Sequence, residues 1–164
     1  MPVTSTLRLD LTARETASGA AVGQSISVLR HTLLDGPTTR SDGTASGDQD
    51  LAWSDSATVT AGAPVALDLS AGLTSVLTGA AISFAAVTAV CVRNRSSAGS
   101  LELGATVPIF GAASDLLTIP PSGLALLTAP ADGWPVTPAT NDTITIAAQL
   151  GSVAYDLILL GQST

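Results

Sequence analysis

The amino-acid sequence predicts an all-β protein, a single jelly-roll-like β-sandwich with an extended N-terminal arm. Two observations carry that prediction. Between residues 50 and 160 apolar side chains recur at every second position in short runs, the period of a strand with one buried face and one wet face. Asp142-Thr143-Ile144-Thr145-Ile146-Ala147 is the clearest of these runs. Turn residues separate them, and no convincing helical period intervenes. Many short strands with short connections build a sandwich or jelly roll. An immunoglobulin-like sandwich is the second architecture considered, although its paired cysteines are absent.

The elements follow in order. Leu7, Leu9 and Leu11 alternate with Arg8 and Asp10, which predicts an early strand with one polar face. Residues 13–24 are rich in Ala, Gly and Ser and have little to bury. Residues 25–34 fit a strand or a short helical turn, and periodicity does not choose between them. From Asp35 to Asp50 the composition is Gly, Ser, Thr, Asp and Pro37, which predicts a loop. Residues 1–50 are therefore read as an arm with one or two strands and an acidic loop, and residues 51–164 as the sandwich domain. Within the latter, strands are expected at about 51–60, 63–69, 86–94, 100–109, 115–119, 123–129, 142–148 and 152–160. Ala61-Gly62-Ala63-Pro64, Ser96-Ser97-Ala98-Gly99 and Pro120-Pro121-Ser122-Gly123 supply turn chemistry between them. Gly133, Pro135 and Pro138 mark a further non-strand crossing before the last hairpin.

Composition narrows the function classes. The chain has 164 residues, 46% hydrophobic but only 3% aromatic, so small aliphatic side chains must fill the core. Such a core buries little area per residue, which favours burying more against copies of the same chain. Net charge is −7 with six arginines and no lysine, and only Arg93 and Arg95 lie close together. Nucleic-acid binding needs clustered cations that displace phosphate counterions, so no direct nucleic-acid contact is expected. No residue between Asp68 and Arg93 is charged, a length that nominates a membrane span. Polar residues, the turn at Gly79 and the β-branched run at 87–92 instead divide it into buried strands, so no membrane contact is expected. The first ten residues lack the pattern of a secretory signal.

Reactive chemistry is sparse. His31 is the single histidine and lies outside any Gly-x-Ser-x-Gly elbow, so a Ser-His-Asp hydrolase has little to build on. Glu15 and Glu102 are the only glutamates, and most aspartates fall at turns, where they serve the backbone. Cys91 is the lone cysteine, in an apolar run that suggests a buried, inert thiol. Asp42, Asp48 and Asp50, with Gly43 and Gly47 between them, offer oxygen ligands of the kind calcium takes. Their spacing does not match the EF-hand loop, and a solvated loop is the preferred reading. No catalytic residue, metal or cofactor is expected. Asn94-Arg95-Ser96 and Asn141-Asp142-Thr143 fit the glycosylation pattern but carry no expectation without a signal sequence. Trp53, Trp134 and Tyr155 are read first as core anchors and second as parts of an interface, for which Leu7, Leu9, Leu11, Trp53 and Trp134 are the candidates.

Several phrases, taken in order, resemble a family of proteins. They are Asp35-Gly36, Asp48-Gln49-Asp50-Leu51-Ala52-Trp53 and Leu67-Asp68-Leu69-Ser70-Ala71-Gly72-Leu73, then Ile82-Ser83-Phe84-Ala85-Ala86-Val87 and Leu101-Glu102-Leu103-Gly104. Ile119-Pro120-Pro121-Ser122-Gly123, Gly133-Trp134-Pro135-Val136-Thr137 and Tyr155-Asp156-Leu157-Ile158-Leu159-Leu160-Gly161 complete them. From about Leu34 to Gly161 this order resembles virion structural proteins of tailed double-stranded DNA bacteriophages, of the head decoration (cement) or minor head type. The first 33 residues are not covered, and Pro121-Ser122 stands after Pro120 where the family pattern has Gly. The resemblance implies a virion-located protein, assembled in the host bacterial cytoplasm, that binds the outer capsid surface and reinforces it. Its partners would be the major capsid protein and itself, as a homotrimer or another closed ring. A head-fibre or tail adhesin binding host-surface glycans is the alternative, and a small β-scaffold hydrolase ranks below both.

Overall fold

Eight principal strands form where the alternation places them, because a period of two is a local property of the chain. In chain order they are β3 (Leu51–Thr60), β4 (Val65–Asp68), β7 (Phe84–Asn94), β8 (Leu101–Gly104), β9 (Leu116–Ile119), β10 (Leu124–Thr128), β12 (Thr143–Ala148) and β13 (Ser152–Ser163). The structure, a computed structural model, describes residues 43–75, 79–104, 115–129 and 132–163, and the backbone alone of 5–7 and 38–40. Shorter pieces are β1 (Ser5–Leu7), β2 (Thr38–Arg40), β5 (Leu73–Thr74), β6 (Ala81–Ile82) and β11 (Trp134–Pro135).

The pairing is a set of nested antiparallel hairpins. β3 pairs β13, β4 pairs β12, β7 pairs β10, and β8 pairs β9. The pairs alternate between two sheets, ordered β10-β7-β13-β3 and β4-β12-β8-β9. One long hairpin of eight strands rolled onto itself is a jelly roll. The first and last principal strands lie side by side, which excludes the immunoglobulin order.

Both sheets turn their apolar faces inward. Val59, Val90, Val92, Val153, Leu157 and Leu159 from one sheet meet Leu101, Leu103, Ile119, Ile144 and Ile146 from the other. Each such side chain contributes roughly 1.5–3 kcal/mol when withdrawn from water. Phe84, Tyr155 and Trp53 add the core's aromatic bulk, and the Trp53 indole N–H donates to the Thr74 carbonyl at 3.1 Å. The uncharged stretch after Asp68 contains strand and turn, divided at Gly79 (φ 69°). No helix among the described residues is long and apolar enough to cross a membrane.

Three local features depart from the sequence reading. The predicted 35–50 loop contains a strand, β2, which pairs β1 through Ser5↔Arg40, Thr6↔Thr39 and Leu7↔Thr38. The predicted non-strand crossing contains β11, whose Trp134 and Pro135 pair Val87 and Ala86 of β7. Proline is tolerated there because β11 lies at the sheet margin. Finally, β7 carries extra residues at Thr88 and Ala85 relative to β13. The carbonyls of those two residues accept the Ala129 and Val136 N–H groups, so the bulges bind the flanking segments.

Asn94 ties the turn after β7 to the turn after β9. It is fully buried, and its Nδ2 donates to the carbonyls of Gly99 (3.0 Å), Ile119 (3.2 Å) and Pro120 (3.1 Å). Its Oδ1 accepts the Ser96 N–H at 3.0 Å. The adjoining turn holds Ser122 at φ 58°, a conformation that favours glycine, with Gly123 N–H donating to Pro120 O.

Candidate interaction face

The two sheets differ on their outward faces. On the β4-β12-β8-β9 sheet the outward positions include Thr143, Thr145, Asp68, Glu102 and Thr118, a mostly polar surface that also carries Ala66, Ala147 and the 54% exposed Leu116 at its β9 edge. On the β10-β7-β13-β3 sheet the register aligns three outward rows of a different kind. Leu126, Cys91, Ile158 and Ser54 form the middle row. Thr128, Ala89, Leu160 and Ala52 lie on one side of it, and Leu124, Arg93, Asp156 and Ser56 on the other. Leu124 is 60% exposed and Ile158 45%. An apolar strip bordered by charge on a sheet's outer face is the candidate contact surface among the described residues.

Charge at this border is organised. Asp156 accepts from Ser56 Oγ at 2.8 Å and from Arg95 Nη1 at 3.0 Å, both on Oδ1. The Ser56 hydroxyl first, then Arg95, hold its carboxyl below the usual range, with Arg93 adding to the attraction. Arg93 is exposed beside it on β7. Thus the only close arginine pair in the sequence brackets one carboxylate rather than forming a cationic patch.

The edge of this sheet is guarded. β3 is its outer strand, and Asp55 shares the inward parity of Trp53, Ala57 and Val59. An inward charge on an edge strand disfavours the addition of another strand. Among the described residues, contact through the face meets no such obstacle.

The sequence-predicted site residues fall elsewhere. Trp53 is 9% exposed and belongs to the core, so its ring offers a partner little surface. Trp134 is half-buried and packs against the core from β11. Leu7 lies in β1, where only the backbone is described, and Leu9, Leu11, His31 and Asp42 lie outside the described residues. Asp50 is occupied as a latch: Ser163 N–H donates to Oδ1 at 2.7 Å and Ser163 Oγ to Oδ2 at 2.6 Å. Gln162 Nε2 donates to the Ala45 and Asp48 carbonyls, and Gln49 Oε1 accepts from Thr88 Oγ1. The 43–50 loop is thereby tied to the end of β13 and to a β7 bulge. No group of three or more His, Cys, Asp or Glu among the described residues is arranged to hold a metal. Cys91 is partly exposed on the outer face, not sealed in the core, and desolvation pushes its thiol up.

No family model and no curated protein matches the chain. Among solved structures it is similar to a chain from Bacillus endospore appendages, which form a novel family of disulfide-linked pili. Identity is 12%, the match covers 73% of this chain and 95% of that chain, and the TM-score is 0.31. A likeness at that level carries no functional argument.

The outer-face residues were not singled out from sequence, yet a signal exists. Leu157-Ile158-Leu159-Leu160 is a continuous apolar run in an antiparallel sheet, so both faces of β13 are apolar at its centre.

Proposed function

We propose that this chain is a structural virion protein of a tailed double-stranded DNA phage that binds the outside of the capsid and reinforces it. The observation that carries the reading is the asymmetry of the jelly roll: one sheet presents a mostly polar outer surface with an apolar residue, Leu116, at its edge, the other an apolar strip through its middle bordered by Arg93 and Asp156. A body of this kind works by covering surface, and its rigidity comes from latches such as Asn94 and Asp50. The phrases that resemble phage head proteins support it further. Within the described residues, each falls on a strand, on the turn closing a strand, or on the loop entering one, which is where a shared scaffold would constrain sequence. Fold alone does not assign function, so binding must be measured. Purified protein mixed with undecorated capsids is expected to co-sediment at a saturating, integral number of copies per capsomer and to raise the capsid's thermal stability. Absence of saturable binding refutes the proposal.

A further inference from the structure

We infer that the outer face of the β10-β7-β13-β3 sheet is a self-association surface on which a second copy of this chain docks face to face about a two-fold axis running along the strands between β7 and β13. The inference rests on the face alone and stands whether or not capsids are bound.

Register supplies the argument. Arg93 lies directly across from Asp156, Cys91 from Ile158, and Ala89 from Leu160, each pair spanning the same two strands. A two-fold axis midway between those strands exchanges the members of every pair. It therefore sets Arg93 of one copy above Asp156 of the other, and the reverse, closing two reciprocal ion pairs. Among the described residues the internal contacts of Asp156 fall on Oδ1. The same operation sets the partly exposed Cys91 over the exposed Ile158, matching apolar to apolar at the centre, while Ala89 opposite Leu160 is already buried within the chain. Complementary charge at the border and apolar contact inside is the anatomy of a specific interface.

The area is small. Four strands about 4.8 Å apart, each contributing roughly 20 Å of length, cover about 380 Å² per copy. The combined area, about 770 Å², falls short of the about 1,000 Å² of a stable specific contact, so the dimer is expected to be weak and transient, with a Kd of about 100 micromolar or weaker.

The test uses the full chain. Sedimentation over a concentration series is expected to show a monomer–dimer equilibrium. Arg93→Asp places like charges opposite each other twice and is expected to weaken the dimer at least about tenfold, and Ile158→Asp to abolish it. The swap Arg93→Asp with Asp156→Arg is expected to recover most of the loss. Where the swap fails to fold, native Cys91 decides. At this register the two thiols lie one strand spacing apart sideways across a gap of about 10 Å, within reach of a short bis-maleimide. Efficient dimer cross-linking, lost in Ile158→Asp, supports the arrangement. A wild-type chain that stays monomeric at millimolar concentration overturns it. So does an oligomer indifferent to both single substitutions, or a face whose substitution affects capsid binding alone.

Discussion

Replacing Asn94 by alanine is expected to destabilise the fold by about 4 kcal/mol. Its amide serves four backbone groups at once: the carbonyls of Gly99, Ile119 and Pro120 and the N–H of Ser96. The Pro120 carbonyl keeps a second donor, Gly123 N–H at 2.9 Å. The Ser96 N–H and the Gly99 carbonyl lose their partner at part-buried contacts and cost about 1 kcal/mol each, and the Ile119 carbonyl loses a buried one at about 2 kcal/mol, within the about 1–3 kcal/mol of a buried orphan. Their sum, about 4 kcal/mol, sets the expected loss. With a urea m-value of about 2 kcal/mol/M the unfolding midpoint should fall by about 2 M. Trp53, buried in the core, reports the transition by fluorescence. Asn94→Asp is the sharper variant, since it keeps the acceptor for Ser96 but turns a carboxylate toward three carbonyl oxygens. At neutral pH it should be less stable than the alanine variant. A loss under about 1 kcal/mol for Asn94→Ala, or an aspartate variant as stable as wild type, would refute the account.

Other expectations follow from the same geometry. A Cβ added at Gly161 would meet the Ala86 carbonyl and the Phe84 ring, so Gly161→Ala should cost about 3 kcal/mol or more in a thermal melt. Gly151 has open space but φ 64°, and Gly151→Ala should cost only about 1–2 kcal/mol. Asp50→Ala removes both bonds to Ser163 and should accelerate proteolytic cleavage within residues 43–50 while lowering stability by about 1–2 kcal/mol. Burial, and then Asp55, raise the Tyr155 hydroxyl's pKa, and desolvation raises that of Cys91. The folded state therefore holds these protons more tightly than the unfolded chain. Their contribution is fully present below about pH 8.5 and is lost as pH climbs through the raised folded values. Melting temperature measured from pH 8 to 11.5 should fall, and less steeply for Tyr155→Phe; equal slopes would refute this assignment.

Much of the fold was legible because strand alternation and turn chemistry are local. The eight principal strands lie within about three residues of the expected ranges wherever those ranges are described, and Pro120-Pro121-Ser122-Gly123 turns as its composition requires. The short strands β5, β6 and β11 carry no sequence period of their own, since a two-residue pairing exists only because a neighbouring strand is brought alongside. Trp53 shares odd-numbered parity with Val59, so its inward direction was readable once the strand was placed. The candidate face was not. Ala89-Val90-Cys91-Val92 reads equally well as a wholly buried strand, and only the order of the sheets shows that half of those side chains point away from the core. Asn94 sits in a glycosylation pattern, whereas its role depends on carbonyls contributed by distant turns.

The last strand in chain order, β13, occupies the middle of its sheet, between β7 and β3. β3 and β7 precede it in the chain and have no strand to join them until residues 152–163 are made. The half-made protein must keep two apolar ribbons apart, a hazard for premature pairing between nascent chains. Closing this sheet is then a late event, slow because it joins strands far apart in the sequence.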